Sequence, residues 1–472
     1  MDRRIQELLK LLDNSVDLKD GHIVILDSSK LRANISKFAE LSALGSGYQQ
    51  GLARYLTRKI ALALDIIPSS INDLYLARGR GEVPTNFTVP AINLRALSFN
   101  AACTVFKVAN SMDAGAFIFE IARSEMGYTD QRPSEYVTSI LAAAIKEDFR
   151  GAIFIQGDHF QVSPKRFIEN KDKEIQAIKD LSIEAISAGF YNIDIDTSTL
   201  VDLSKTTIPE QQRLNTSLSA EFSAFIRSIQ PKDIPVSIGG EIGEVGGHNS
   251  TEEELRVYMD GYNSHLKEIS PKAIGLSKIS IQTGTSHGGV VLPDGSIAKV
   301  KVDFDTLLKL SRIARKDYGM GGAVQHGAST LPEDAFGKFV ESEAVEVHLA
   351  TNFQNIFYDL IPDDLRNDIY AYLRENHSNE RKEGQTDDQF YYKTRKRAIG
   401  PFKKQTWSLP PEQKEKIEAA WESKFRNLFT LLKIHGTKKY VGKHIKHVKI
   451  QPKLENYLKD VLSAEDTSDL AD

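Results

Sequence analysis

Short runs of apolar or β-branched residues recur through the middle of the chain, and each is followed by a stretch with apolar residues at helical spacing. Eight such runs occur, at residues 87–92, 116–121, 152–155, 192–195, 235–238, 273–281, 323–325 and 344–349. Strands that alternate with helices indicate a parallel sheet. Eight strand–helix units within about 270 residues predict a closed (β/α)8 TIM barrel.

Both ends of the chain are predicted to be helical extensions of this barrel. Apolar residues at helical spacing cover residues 29–44 and 48–64, and residues 77–85 (ARGRGEVPT) suit a linker. Beyond residue 357, helices are predicted over 363–376, 411–432 and 454–462. We therefore divide the chain into a helical N-terminal extension (1–85), the barrel (86–357) and a helical C-terminal extension (358–472).

Composition and charge narrow the classes of function. The 472 residues carry a formal charge of −4, which gives no electrostatic case for a nucleic-acid or membrane partner. No run of about 20 apolar residues predicts a membrane span, and the N-terminal amphipathic stretch is too short and interrupted for a signal peptide. Cys103 is the only cysteine, so we expect no intramolecular disulfide and a cytoplasmic location.

Polar residues follow the predicted strands where those strands end. The third strand ends in Asp158-His159, the fifth in Glu241, the sixth in His287 and the seventh in His326. Because the carboxyl ends of barrel strands meet at one mouth, these side chains are expected to converge. Imidazole nitrogens with a carboxylate suit zinc, and three protein ligands leave a position open for substrate.

Glycines beside two of these histidines indicate a second kind of site, one that binds an anion. Gly288 and Gly327 follow two of the histidines, and Ser329 and Thr351 lie close to the ends of the last two strands. Glycine lets backbone N–H groups approach an anion, and barrels commonly bind phosphate after these strands. The segments are therefore candidates for a phosphate site, and tight βα turns are the alternative explanation.

These segments together resemble the class II, metal-dependent fructose-bisphosphate aldolase family over about residues 87–352. The matching motifs are VPAINL (89–94), Asp158-His159, EIGEVGG (241–247), SHGG (286–289) and HGAS (326–329). The resemblance implies that Asn93 contacts substrate and that Asp158 is the catalytic acid/base. It also implies that His159, His287 and His326 hold the metal, that Glu241 approaches it, and that Thr351 contacts phosphate.

The chain departs from the family pattern at two strand ends. Asn249 stands where the better-known branches have a glutamate that takes part in proton transfer, which leaves Glu252, Glu253 or Glu254 as replacements. At the eighth strand, the family's Asn-x-Asp-Thr becomes His348-Leu349-Ala350-Thr351. The second-strand segment FEIARSEMGYT resembles the related subunit of tagatose-bisphosphate aldolase, some members of which are non-catalytic.

The resemblance implies reversible, zinc-dependent cleavage of fructose-1,6-bisphosphate or tagatose-1,6-bisphosphate to glycerone phosphate and an aldehyde phosphate. Another divalent metal could replace zinc, and a monovalent cation is a further candidate. Two alternatives stay open: a non-catalytic subunit that stabilises a partner aldolase, and an aldolase for another sugar phosphate. A homodimer or higher homo-oligomer is expected.

Three further residues have open roles. Asp196, at the fourth strand end, could bind a second metal or hydrogen-bond a ligand. Arg395 or Arg397 could bind a second phosphate, across a dimer interface, or belong to a solvated basic surface that spans residues 391–407.

Overall fold

The computed structural model describes residues 3–243, 248–284, 302–328, 331–458 and 470. The strands are β1 (Val16–Lys19), β2 (His22–Ile25), β3 (Ile66–Ser69), β4 (Val89–Asn93), β5 (Ile118–Ala122), β6 (Gly151–Gln161), β7 (Asn192–Asp196), β8 (Ser237–Glu241), β9 (Lys278–Ile281), β10 (Ala323–Gln325) and β11 (Glu346–Leu349). The helices are α1 (Arg3–Leu9), α2 (Ser28–Asn34), α3 (Ser36–Leu44), α4 (Gly47–Ala63), α5 (Asn72–Gly79), α6 (Ser98–Ser111), α7 (Arg123–Tyr128), α8 (Pro133–Lys146), α9 (Pro164–Glu169), α10 (Lys171–Ala188), α11 (Ile208–Ile229), α12 (Glu252–Ile269), α13 (Phe304–Tyr318), α14 (Ala335–Glu341), α15 (Thr351–Leu360), α16 (Asp363–Asn376), α17 (Asp387–Thr394), α18 (Lys403–Trp407), α19 (Pro411–Leu431), α20 (Lys438–His444) and α21 (Glu455–Leu458).

Strands β4 to β11 form a closed barrel in which every strand runs parallel to its neighbours. They pair in chain order, and β11 closes the barrel on β4 through pairs such as Val347 with Pro90. All eight predicted strands are present, so the predicted (β/α)8 barrel is confirmed. The predicted run 273–281 was too long at its start, because only Lys278–Ile281 pairs with neighbouring strands.

Strand β6 is longer than predicted because it continues through an irregular segment. Its register with β7 shifts between Gly157 and Phe160, so that two residues of β6, Asp158 and His159, lie opposite the single residue Asp194 of β7. His159 has a φ of 38°, an unfavourable value for a residue with a side chain. A Cβ at Gly157 would lie 2.3 Å from the Phe160 ring, so only glycine permits this packing. The bulge thus sets the directions of the Asp158 and His159 side chains near the end of the strand.

The N-terminal extension was predicted to be helical, but it also contains strands. Strands β1 and β2 form an antiparallel hairpin, and β3 pairs in parallel with β6 through pairs such as Ile66 with Gly151. Strand β3 thus lies along the same edge of β6 as β7, nearer the amino ends of the barrel strands. The predicted linker over 77–85 was wrong in its first part, because residues up to Gly79 belong to α5. The division of the chain at residues 85 and 357 stays a prediction.

Helix α5 is fixed to the barrel by a buried arginine. Arg78 is only 1% exposed. Its guanidinium donates to the carbonyl oxygen of Phe87 at 2.7 Å and to those of Glu343 and Ala344 at 3.1 Å each. These carbonyls precede β4 and β11, the two strands at which the barrel closes. Burial lowers the pKa of Arg78 to about 10, so the side chain stays charged at neutral pH.

The C-terminal helices cover the outside of the barrel. The predicted helix over 411–432 is α19, whose Trp421 indole donates to the Phe353 carbonyl at 3.0 Å. The expectation that residues 391–407 form a solvated surface was wrong. Arg395 and Lys403 are only 7% and 9% exposed, and Lys403 Nζ lies 2.7 Å from Glu135 Oε1.

No helix within the described ranges has both the length and the apolar character needed to cross a membrane.

Replacing Arg78 should destabilise the fold far more than replacing its neighbour Arg80. Arg78→Met should lower the free energy of unfolding by about 3 kcal/mol or more, because three carbonyl oxygens lose a charged donor. Arg80→Met should change it little, because the Arg80 side chain is 55% exposed and its ion pair is with the exposed Glu82. Urea denaturation of the two variants measures the difference, and equal shifts would contradict this account of α5.

Candidate active site

Three of the predicted metal ligands meet at the carboxyl ends of the barrel strands. His159 extends from the β6 bulge, Glu241 is the last residue of β8, and His326 follows β10. Glu241 Oε1 lies 3.0 Å from His159 Nδ1 and 3.5 Å from His326 Nε2. The predicted ligand His287 lies outside the described residues.

The donor set fits a divalent metal. One ligand atom from each of His159, Glu241 and His326 lies within 4.8 Å of the others. Two ligands bound tetrahedrally at about 2.0–2.1 Å from a zinc ion are themselves roughly 3.3 Å apart, close to the distances around Glu241. Within the described residues, Glu241 Oε1 is also buried and has no hydrogen bond of good geometry. A bound cation would satisfy this oxygen.

Electrostatics at Glu241 and His159 favour the same conclusion. Burial raises the pKa of Glu241 to about 7, and the nearby charge of Asp196 adds to this effect. Burial alone would lower the pKa of His159, but the charges of Asp158 and Glu241 raise it well above its usual value. The protein thus concentrates negative charge around His159, which is the environment a metal cation needs.

Asp196 lies where it can orient a ligand histidine. Its Oδ2 lies 3.1 Å from His159 Nδ1 and accepts from Gln161 Nε2 at 2.6 Å. Its Oδ1 accepts from the Ser198 backbone N–H and hydroxyl. No group of metal ligands within the described ranges includes Asp196. Asp196 Oδ2 and Glu241 Oε1 therefore both approach His159 Nδ1, and the choice between the two roles that the sequence left open for Asp196 stays a prediction.

Asp158 lies beside the candidate metal ligands. Its Oδ1 is 3.8 Å from His159 Nε2 and 3.3 Å from Nδ1 of His348. Burial would raise the pKa of Asp158, but the charges of His159 and His348 lower it well below its usual value. Asp158 is therefore ionised and can accept a proton.

His348 belongs to the site although sequence reasoning did not select it. It lies on β11, its ring centroid is 3.9 Å from that of His326, and its Nε2 is 2.7 Å from Glu346 Oε1. Residues two apart on a strand face the same side, so Glu346 and His348 both point into the barrel. Charged residues inside an apolar strand were the available signal.

A buried charge network lies beneath His348. Lys278 Nζ contacts Glu346, and it lies 2.9 Å from Asp194 Oδ2 and 2.7 Å from Gln156 Oε1. Burial raises the pKa of Asp194 to about 6 and that of Glu120 to about 8. Burial opposes ionisation of Glu346 as well, but the charges of Lys278 and His348 lower its pKa to about 2. Lys278 and Glu346 thus form the ionised centre of the network.

The predicted substrate-binding residues are only partly described. Asn93 ends β4 and donates from Nδ2 to Glu125 Oε2, while its own Oδ1 is buried without a partner. Gly327 has a φ of 67°, a conformation that glycine adopts without strain, and Thr351 is the first residue of α15. Gly288 and Ser329 lie outside the described residues.

The three candidate replacement bases do not lie beside Asn249 in an irregular segment. Asn249 donates from Nδ2 to Asp303 Oδ2 at 3.0 Å. The three candidate replacement bases, Glu252, Glu253 and Glu254, lie in the first turn of α12 instead. There Glu254 accepts from Thr251 in a capping box, and Glu252 pairs with Arg256 and Lys309. Helix capping and ion pairing therefore already engage two of the three.

The two candidate phosphate-binding arginines contact residues of their own chain. Arg395 donates to Asn355 Oδ1, and its guanidinium lies 4.8 Å from the Tyr358 ring centroid. Arg397 Nε lies 3.3 Å from Glu380 Oε1, and its guanidinium lies 6.0 Å from the Tyr128 ring centroid. The Arg95 guanidinium, which is paired with Glu125, lies 6.0 Å from the same ring. Several cations thus gather around Tyr128.

Comparison with known proteins agrees with this arrangement. The family model for class II fructose-bisphosphate aldolase matches residues 84–426. A sequence search of curated proteins gave no match.

One solved structure shares the fold at low sequence identity, and a second is reported beside it. A Sinorhizobium meliloti 1021 protein described as a probable tagatose 6 phosphate kinase has a TM-score of 0.51 and 16% identity, covering 79% of this chain and 96% of its own. A fructose-bisphosphate aldolase from Campylobacter jejuni has a TM-score of 0.45 and 15% identity, covering 80% of this chain and 94% of its own.

The family match spans well over half of the chain, and with the strand-end residues described above it shows that this protein belongs to the class II fructose-bisphosphate aldolase family, in a divergent branch.

Proposed function

We propose that the protein is a metal-dependent aldolase. It cleaves a ketose bisphosphate, fructose-1,6-bisphosphate or tagatose-1,6-bisphosphate, to glycerone phosphate and an aldehyde phosphate. One observation carries this proposal: His159, Glu241 and His326 converge at the barrel mouth with the ionised Asp158 beside them.

Zinc is the metal we propose, held by His159, His326 and His287, with Glu241 as a conditional ligand. Two imidazoles and a carboxylate suit zinc better than the hard oxygen-preferring cations. When bound, the metal acts as a Lewis acid toward the carbonyl and hydroxyl oxygens of the substrate.

Asp158 would move the proton in the cleavage step. It accepts the proton of the hydroxyl on the carbon that becomes the aldehyde, and it returns that proton in the reverse, condensing direction. Its ionised state and its place beside His159 support this role.

Two groups of residues would hold the two phosphates. Gly288, Gly327, Ser329 and Thr351 would receive one phosphate, since α15 begins at Thr351 and a helix start offers unpaired N–H groups. Arg395 would bind the other, with Arg397 nearby. Arg395 is buried, its Nε has no hydrogen-bond partner, and no ion pair to it is found within the described part of the chain.

The alternative of a non-catalytic subunit rests on Asn249 and Ala350. A subunit without catalysis has no need for Asp158 and convergent metal ligands, so we favour an active enzyme. An aldolase for another sugar phosphate is the second alternative, and activity over a panel of ketose phosphates separates it from the first.

Metal removal and two substitutions test the proposed chemistry. In a coupled cleavage assay, His326→Ala should lose both bound zinc and activity. Asp158→Ala should keep the zinc and lose activity by about 10²- to 10⁴-fold, because only the proton acceptor is removed. His377→Ala, a half-buried histidine on the C-terminal side, is the control and should retain both. Turnover that survives complete chelation of metal would contradict the proposal.

The second phosphate site has its own test. Arg395→Met should raise KM for the bisphosphate by about tenfold or more, the equivalent of roughly 1.4 kcal/mol of binding free energy. KM for the corresponding monophosphate should stay unchanged. Arg426→Met, which alters a half-exposed arginine paired with Glu422 on α19, serves as the control. An equal effect on both substrates would exclude Arg395 from phosphate binding.

A further inference from the structure

The eighth barrel strand, β11, departs from the family pattern at His348. His348 stands where the family has an asparagine, and its side chain is only 5% exposed. Carboxylates surround the ring. The nearest belong to Glu120 and Glu346, followed by Asp158 and Asp194.

One side of the His348 ring is anchored firmly. Its Nε2 lies 2.7 Å from Glu346 Oε1, which also contacts Lys278 Nζ and accepts from Gln156 Nε2 at 3.0 Å. The second oxygen of Glu346 accepts from the Tyr75 hydroxyl, which reaches it from α5. Three separate elements of the chain therefore fix the carboxylate that holds the ring.

The other side of the ring faces Asp158. His348 Nδ1 lies 3.0 Å from Glu120 Oε2 and 3.3 Å from Asp158 Oδ1. Asp158 Oδ1 is buried, and His348 Nδ1 is the closer of the two histidine nitrogens beside it, since His159 Nε2 lies 3.8 Å away. The ring therefore limits how the Asp158 carboxylate can rotate.

A second metal at this position is less favourable. Glu120, Glu346 and His348 could by distance hold an ion. However, Glu346 Oε1 already contacts the Lys278 ammonium, His348 and Gln156. A divalent cation beside the lysine would be repelled by it.

We propose that His348 is a positioning residue: it orients Asp158 toward the substrate hydroxyl, and Glu346 and Tyr75 hold it in place. This inference rests on the proposed function. Proton transfer requires the acceptor within hydrogen-bond reach and correctly oriented, and misplacement by about 1 Å can cost about 10²-fold in rate. The N-terminal segment thereby becomes part of the support of the active site.

The kinetic test replaces His348 with the family residue. His348→Asn should lower kcat by about 10²-fold, with KM within twofold and zinc content unchanged. In an Asp158→Asn background, the same change should have no further effect on the residual rate. His444→Asn, in which a partly buried histidine outside the site is altered, is the matched control and should match the wild type. A kcat for His348→Asn within twofold of the wild type, or effects that multiply in the double variant, would overturn the proposal.

Tyr75→Phe tests the support from the N-terminal segment. It removes only the hydroxyl that contacts Glu346, and it should lower kcat several-fold with unchanged zinc content and KM. An unchanged kcat would remove the N-terminal segment from the proposal.

A stability measurement tests the coupling between His348 and Asp158 without an activity assay. In urea unfolding of the full-length protein, the midpoint shift caused by His348→Asn should be at least twofold larger in the wild-type background than in Asp158→Asn. Equal shifts in the two backgrounds would show that the residues do not interact, and would overturn the positioning role. If the wild type cleaves no ketose phosphate, the proposed function fails, while this coupling still tests the contact between His348 and Asp158.

Discussion

Burial of carboxylates at the centre of the barrel is the constraint on which the rest of the site depends. Six of them are at most 6% exposed: Glu120, Asp158, Asp194, Asp196, Glu241 and Glu346. A buried charge is stable only when it is paired or when it takes up a proton. In the barrel, positive charge pairs with these carboxylates at three levels. Lys278 supplies it at the lowest level, His348 at the middle level, and the candidate metal with its histidines at the mouth.

This arrangement in levels relates the N-terminal segment to the chemistry. Helix α5 contributes Tyr75 to the lowest level and Arg78 to the start of the closing strands. Strand β3 extends the sheet beside β6, the strand that carries Asp158 and His159. The N-terminal segment therefore contacts the amino ends of several barrel strands, and Tyr75 connects it to Glu346, which in turn contacts His348.

Much of this could be read from the sequence, and the remainder could not for physical reasons. Strand periodicity and the polar residues at strand ends identified the barrel and the residues His159, Glu241 and His326, which the structure brings together. Periodicity is local, however, and β3 pairs with a strand that begins more than 80 residues later. A bulge such as the one at His159 depends on how Phe160 packs over Gly157, which no pattern of apolar residues reveals.

The buried network was hidden for a related reason. Lys278 and Glu346 are separated by 68 residues, and each looks like an isolated charge within an apolar strand. Only the closure of the barrel shows that they are partners, and that His348 depends on them. The first turn of α12 shows the reverse case, since two glutamates that the sequence offered as bases are engaged in helix capping and ion pairs.

Anomalous diffraction at the zinc absorption edge, from crystals of the full-length protein grown with zinc, tests the central claim most directly. The account predicts one peak within about 2.0–2.2 Å of ligand atoms of His159 and His326, at the mouth of the barrel beside Asp158. A peak between Glu120, Glu346 and His348 instead would contradict it. So would the absence of a peak at the mouth when the protein in solution binds one zinc ion per chain.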